Sequence, residues 1–306
     1  MGFNGVAKVG DDMENRRDFL KKTIGTAALG AAMRDRQGSA AGRLAWPGPI
    51  GLEMYTVRDL FAKTPKDILK EIAAAGYREV EAAAFLPMNL SVADFKRAVA
   101  ADGLSSPSGF LDTPKSTDDW KKSLEQAQAF GWKYVVVAYA ERIGADGWKR
   151  FAALFNECGK LSRDAGIQFC YHNHMREFEK LGDTTGYDIL LTRCDAELLK
   201  MEMDIFWITY AGVDPFPYFQ RYPGRFPLLH IKDLKKGFAG STTVFPPDSG
   251  PNPFAPVGQG KIDWAKIFAH VGQAGAKHIF VEQDRTDGAP LEAIKISYDY
   301  LHKLRV

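Results

Sequence analysis

No stretch of the 306 residues approaches the roughly 18–20 consecutive apolar residues that a membrane span needs. Cysteine is scarce: Cys158, Cys170 and Cys194 form no CxxC pair, which argues against a disulfide framework and against a cysteine zinc site. Histidine is equally sparse, with six in all and none before His172. Neither sign of charge is in excess, at 40 Lys/Arg against 38 Asp/Glu. No GxGxxG follows the first β-type run, so a dinucleotide-binding sheet has no support. What remains is ordinary soluble-protein composition, 45% hydrophobic and 25% charged, enough for a sizeable core.

The first forty residues differ from the rest. "ENRRDFLKKTIGTAALGAAM" sets Arg16 and Arg17 before Phe19 and Leu20, then a small-residue apolar stretch. This order is that of a twin-arginine export signal read by a translocase, with "GSA" at 38–40 as a small-residue cleavage site. Arg34, Asp35 and Arg36 fit such a signal poorly, and the alternative is an amphipathic helix of a cytoplasmic protein. The expected organisation is a signal peptide over 1–41 and one folded domain over 42–306, with a periplasmic or secreted destination. The segment holds seven Lys/Arg and five Asp/Glu, leaving 33 of each in the body. A neutral body lacks the clustered cations that phosphate backbones require, which makes nucleic acid an improbable partner.

From Ile50 onward, β-type runs alternate with helix-length segments. The runs are "IGLEMYTV" at 50–57, "YREVEA" at 77–82, "LSSPSGF" at 104–110, "KYVVVAY" at 133–139, "IQFCYH" at 167–172, "LKMEMD" at 199–204, "FPLLHI" at 226–231 and "HIFVEQ" at 278–283. Several helical stretches end in glycine just before the next run, the expected left-handed stop. Eight strand–helix units with nothing left over predict an α/β fold of the TIM (β/α)8 type as a single domain, with an open doubly wound sheet as competitor. A barrel places its chemistry at the C-terminal ends of its strands. Those ends carry Glu53 and Tyr55, Glu79 and Glu81, His172 to His174, Asp204, His230 and Glu282.

His172, Asp204, His230 and Glu282 end runs five to eight, successive neighbours around the rim. Two imidazoles and two carboxylates there suit one divalent ion, Mn²⁺, Mg²⁺, Co²⁺ or Zn²⁺. Each has a bland alternative: Asp204 as a helix cap, a lone histidine as a hydrogen-bonded core residue, Glu282 as a partner of Arg285. Their coincidence on four consecutive strands is what points to metal. His172 and His174 share a face of an extended chain; His172 is the expected ligand, His174 the catalytic or substrate-facing partner. Glu282 is the first candidate base, then the histidines, then Glu81. Lys232 either polarises a developing oxyanion or is a surface lysine. Tyr55, Arg58, Glu81, Arg176, Glu177 and Trp207 are expected around a sugar substrate, and the Pro/Gly-rich stretch 235–263 as a lid. No hydrophobic stripe outside the barrel pattern marks a subunit interface, so the oligomeric state stays open.

The motifs "GLEMYTVRD", "YHNHMREFE", "MEMDIFWITYAGVDP", "LLHIKDL", "VGQGKIDW" and "VEQD", from about Gly51 to Glu282, resemble the xylose isomerase-like barrel superfamily, in the branch labelled sugar phosphate isomerases/epimerases. The resemblance implies one divalent metal on Asp204, His230 and Glu282. It also implies a glutamate where His172 stands, paired with Glu282 as acid and base in the ketose epimerases. His172 departs from that pattern, so the two-carboxylate mechanism does not carry over. The three-zinc apurinic-site endonucleases of the superfamily need ligands on strands two and three that this chain lacks. The expected activity is metal-dependent isomerisation or epimerisation of a sugar through a metal-stabilised enediolate. The runner-up is a lyase or dehydratase eliminating from a keto-sugar of the 3-keto-glycoside type, and a non-catalytic sugar-binding barrel is the alternative outside enzymes. No phosphate loop follows any strand.

Overall fold

A computed structural model describes residues 42–83, 90–138, 141–247 and 249–306. The expected signal segment, Tyr139 of the fourth run and Asp248 of the lid lie outside the described residues. Eight parallel strands close into a barrel: β1 (Gly51–Glu53), β2 (Glu79–Ala82), β3 (Ser105–Phe110), β4 (Tyr134–Ala138), β5 (Gln168–His172), β6 (Leu199–Asp204), β7 (Leu228–Ile231) and β8 (His278–Val281). Around the barrel the order is β1-β8-β7-β6-β5-β4-β3-β2. Helices lie between successive strands, as right-handed β/α crossovers require.

Alternation along each strand decides what fills the barrel. Residues paired in register on parallel strands point to the same side. Val136 pairs with Cys170 and Ala138 with His172; His172 pairs with Glu202, Asp204 with His230 and His230 with Phe280. All of these side chains therefore face inward. Val136, Cys170, Leu228 and Phe280 form an apolar plug. Above it, toward the C-terminal end, the inward positions turn ionisable. The outward positions, such as Val135, Phe169, Tyr171 and Leu229, join the large apolar layer under the helices.

Two strands are shorter at their C-terminal ends than the sequence suggests, and both differences shape the site. The run at 50–57 gives only three residues of strand; Glu53 Oε2 then accepts from the Tyr55 backbone N–H at 2.7 Å and turns the chain into a 3₁₀ turn, Met54–Val57. β8 stops at Val281, so Glu282 projects from just beyond it. In β3, Pro107 has no N–H to give to the ladder, and the pairing with β2 shifts register between Glu79 and Glu81.

After β7 the chain forms the long stretch expected as a lid. Asp233 anchors its return: its Oδ2 accepts from the N–H groups of Gly258 (2.9 Å) and Gly260 (3.0 Å) and from Trp264 Nε1 (2.9 Å). A Cβ at position 260 would stand 2.0 Å from Asp233 Oδ1, so only glycine allows this approach. A short antiparallel ribbon, Asp233–Leu234 with Phe254–Ala255, closes the base of the loop.

Candidate metal and acid–base site

Five carboxylates are buried at the upper end of the barrel: Glu53, Glu81, Glu202, Asp204 and Glu282. Facing them are the buried Lys232, His172 and His230. Buried charges must be compensated: burial lowers the His230 pKa, but Glu202, Glu282 and Glu81 outweigh it and hold the imidazole well above its ordinary value, while burial, with Glu282 beside Glu53 and Glu81 beside Glu202, pushes those two carboxyls well above the usual carboxylate range.

Asp204 lies at the centre. It ends β6 and begins the helix Ile205–Tyr210, whose Trp207 N–H donates to Asp204 Oδ1 at 2.8 Å. The cap, one of the two alternatives in the sequence, uses one oxygen of the carboxylate and leaves the other for a candidate metal. Oδ2 is buried and accepts no well-directed hydrogen bond, although Lys232 Nζ approaches to 3.1 Å. It stands 3.8 Å from His172 Nε2 and 3.8 Å from His230 Nδ1. All three ligand atoms lie within 4.8 Å of one another. Donors each about 2.0–2.2 Å from one ion reach this arrangement with small side-chain adjustments.

The far side of each imidazole is also held. His172 Nδ1 is 3.2 Å from Glu202 Oε2. His230 Nε2 is 2.6 Å from Glu81 Oε2 and 3.2 Å from Glu202 Oε2. A ring nitrogen fixed by a carboxylate aims the other nitrogen and raises its basicity, the usual support for a metal-binding histidine. Burial, with His230 and His174 nearby, keeps the His172 pKa well below its ordinary value, so the ring is in the neutral state that binds metal. Mixed nitrogen and oxygen donors and a buried oxygen without a well-directed donor fit a divalent cation.

Glu282 is displaced from the three-atom set. Its Oε2 is 2.8 Å from His230 Nδ1 and 2.6 Å from Lys232 Nζ. Lys232 is no surface lysine: it is 2% exposed and also reaches Asp284 Oδ1 at 2.9 Å. Burial lowers the Lys232 pKa, but Asp204, Asp284 and Glu282 outweigh it and hold the ammonium well above its usual range. A cavity of about 320 Å³ opens over Lys232, Glu282, His172, His230 and His174.

The structure brings His172, Asp204 and His230 together, with Glu282 and Lys232 alongside. His174 stands at the edge, its ring 5.1 Å from that of His172 and 5.5 Å from that of Trp207; burial lowers its pKa to about 3. Glu81 lies beneath His230, not at a substrate position. Glu177 is not brought to the cavity. It is fully buried behind β5, where it accepts from Tyr171 OH at 2.8 Å, because its 3₁₀ turn Arg176–Phe178 folds outward. The Arg176 guanidinium lies 4.8 Å over the Phe245 ring. Tyr55, Arg58 and Trp207 line an adjoining chamber. Arg285, the alternative partner of Glu282, donates to the carbonyls of Pro247 and Pro251.

Sequence reasoning passed over Glu202 and Asp284 and gave Glu53 no role. For Glu202 a signal existed: in "MEMD" it lies two residues before Asp204, on the same face of the strand. Asp284 follows Glu282 by two, but beyond the end of β8 that spacing fixes no direction.

Comparison with known proteins places these features in context. The inosose dehydratase of Clostridium botulinum (strain Alaska E43 / Type E3) is 25% identical over 279 residues, covering 81% of this chain and 92% of that protein. A solved structure of a sugar phosphate isomerase/epimerase from Parabacteroides distasonis superposes with a TM-score of 0.70 at 25% identity, over 85% of this chain and 95% of that one. The IOLI protein, solved with a bound zinc atom, shares the fold at a TM-score of 0.65 and 15% identity, over 82% and 96% of the two chains. The xylose isomerase-like TIM barrel family model matches residues 69–304; the chain belongs to that family.

Proposed function

We propose that the protein is a divalent-metal-dependent lyase that eliminates an oxygen leaving group from the carbon β to a ketone in a polyhydroxylated ring. The observation that carries this reading is the convergence of Asp204 Oδ2, His172 Nε2 and His230 Nδ1 beside the Lys232–Glu282 pair. The likeness to inosose dehydratases over most of their length favours elimination over the isomerisation put first from sequence. Isomerisation keeps support from the Parabacteroides neighbour's name and shares the first step.

His172, Asp204 and His230 would hold the metal, with Glu282 as fourth ligand. When bound, the ion supplies Lewis acidity to a carbonyl oxygen and its neighbouring hydroxyl. Glu282 removes the proton next to the carbonyl with its second oxygen. Lys232, fixed by three carboxylates, donates a hydrogen bond to the oxygen that gains negative charge. Asp284, whose carboxyl is pushed up to about 6 by burial and by Glu282 against the pull of Lys232, protonates the departing oxygen. A group titrating near the working pH suits that role. His174 hydrogen-bonds a substrate hydroxyl. The proton balance closes: one leaves carbon for Glu282, one leaves Asp284 with the expelled group.

Incubating the Mn²⁺-loaded protein with keto-inositols, 3-keto-glucosides and ketoses in D₂O tests this. Release of water or alcohol with formation of an enone supports elimination. Deuterium uptake without release returns the reading to isomerisation, and no uptake with any carbonyl sugar refutes both. We also propose that residues 1–41 direct export, which would expose the enzyme to unphosphorylated sugars.

A further inference from the structure

The acid–base cavity is only part of the space above the barrel. A second chamber of about 380 Å³ opens beside it, and Tyr55, His174 and Asp284 line both. Beyond that shared wall the second chamber is bounded by Trp207 and by Phe245 and Phe254 of the lid loop. Trp207 is fixed by its backbone bond to Asp204, and Phe245 meets it edge-on with ring centres 5.5 Å apart. Trp207 and Phe254 are nearly fully buried and back the half-buried Phe245, which offers the apolar surface within a polar rim. Two hydrogen-bonding atoms on the rim lack partners among the described residues: the buried donor Trp207 Nε1 and His174 Nδ1, donor or acceptor by tautomer.

Aromatic faces with unspent hydrogen-bond groups at their edges suit a hydroxylated ring, whose C–H face covers the aromatic and whose hydroxyls satisfy the rim. A phosphate suits the chamber less well. Arg58 donates to the carbonyls of Tyr55 and Asp284, and Arg285 to those of Pro247 and Pro251, so both guanidinium groups are engaged in building the wall. A substrate of one ring would fill the first cavity and leave the half-buried Phe245 ring of the second against water.

We propose that the second chamber binds a further sugar ring joined through oxygen to the reacting ring, so that the substrate is a two-ring keto-glycoside and the group expelled is a sugar rather than water. This rests on the elimination reading above. Glu282 takes the proton from carbon, the C–H electron pair becomes the C=C bond, and the C–O bond to the second ring breaks. The freed oxygen takes the proton of Asp284, which stands in the wall between the two chambers.

Binding and turnover test this separately, both with the full Mn²⁺-loaded protein. Calorimetry with an unoxidised disaccharide, its component monosaccharide and the monosaccharide phosphate needs no reaction. The disaccharide should bind about tenfold more tightly than the monosaccharide. Phe245→Ala should bring that ratio to within about threefold, and Phe245→Trp should restore it. Equal affinities, or tightest binding of the phosphate, would overturn the proposal. In turnover, a 3-keto-disaccharide should release its second sugar with kcat/KM at least about tenfold above that for release of methanol from methyl 3-keto-glucoside. Equal release from both overturns the second-ring site while elimination stands. A binding preference for the disaccharide with no release from either substrate leaves the ring site standing and refutes elimination, and with it the keto-glycoside substrate.

Discussion

Glu202 Oε2 lies 3.2 Å from His172 Nδ1, on the ring edge opposite the Nε2 atom that faces Asp204. It also stands 3.2 Å from His230 Nε2, so one buried carboxylate sets the orientation of both imidazoles. Glu202→Gln keeps the volume but leaves one amide to serve two rings. Loss of such a supporting group typically weakens metal binding about 10–100-fold. Competition against a calibrated chelator should read that loss, and unchanged affinity would show that the histidines are not metal ligands.

Asp204 caps its helix with Oδ1 alone, leaving Oδ2 for the proposed metal. Asp204→Asn retains an oxygen to accept from the Trp207 N–H and loses the anionic Oδ2. The variant should fold with a metal-free midpoint near that of the parent. A lost cap would cost about 0.5–2 kcal/mol, so a change of that size would mean the amide had failed to replace it. Elemental analysis after gel filtration should find the metal gone, and with it turnover. Retention of stoichiometric metal in Asp204→Asn would remove this residue from the coordination set.

Lys232 shares Asp204 Oδ2 and Glu282 Oε2 with whatever cation binds there. Lys232→Met removes a competing positive charge of similar volume. The variant should therefore bind divalent metal at least as tightly as the parent, while kcat falls by about 10²–10⁴-fold through loss of the oxyanion donor. In the metal-free form it should be less stable, because the buried Asp204 and Glu282 and the partly buried Asp284 lose their shared counter-charge. A parallel fall in metal affinity would make Lys232 a structural support of the site instead.

The eight-stranded closure was legible because it depends on repetition. Strand-length apolar runs, each followed by helix-length chain and often a glycine stop, have few ways to pack. Gly131 shows the logic: at φ 81° its N–H bonds Ala127 O and ends the helix before β4. That these strand ends meet was legible for the same reason, since barrel geometry puts Asp204, His230 and Glu282 on one rim. What pattern did not give was direction beyond a strand's end. Glu282 leaves β8 toward Lys232, and Glu177 turns behind β5 into an apolar pocket. Glu177 depends on its 3₁₀ turn and Glu282 on long-range contacts with His230 and Lys232, which no local period encodes. Glu202 was missed because a glutamate between two methionines reads as an ordinary strand position until the barrel's inward parity is known.

The N-terminal segment makes a prediction independent of the site. If the paired arginines address a translocase, residues 1–41 fused to a folded reporter should carry it out of the cytoplasm. Replacing Arg16 and Arg17 together by lysine should stop that transport, since the pair is read as a specific address. Fractionation of reporter activity decides the matter, and export that persists in the double variant would assign the segment another role.

Burial raises the carboxyl pKa of Glu177 from 4.5 to about 7, despite backbone N–H groups and the Tyr171 hydroxyl favouring the ionised form. In the unfolded chain the same group titrates at its ordinary value. Between these two values the folded state holds a proton that the unfolded state has lost, so stability falls as pH rises through that window. Each unit is worth about 1.4 kcal/mol, giving a full effect of about 3 kcal/mol by neutral to slightly alkaline pH. Glu177→Gln cannot ionise and should be insensitive to this change. Its unfolding free energy should match or fall below that of the parent near pH 4.5, where Glu177 is protonated and still bonded to Tyr171. At pH 8 it should gain on the parent by up to about 3 kcal/mol. Urea titrations of both proteins at the two pH values measure the difference. A gap that stayed constant between them would mean that Glu177 titrates at its ordinary value in the folded protein.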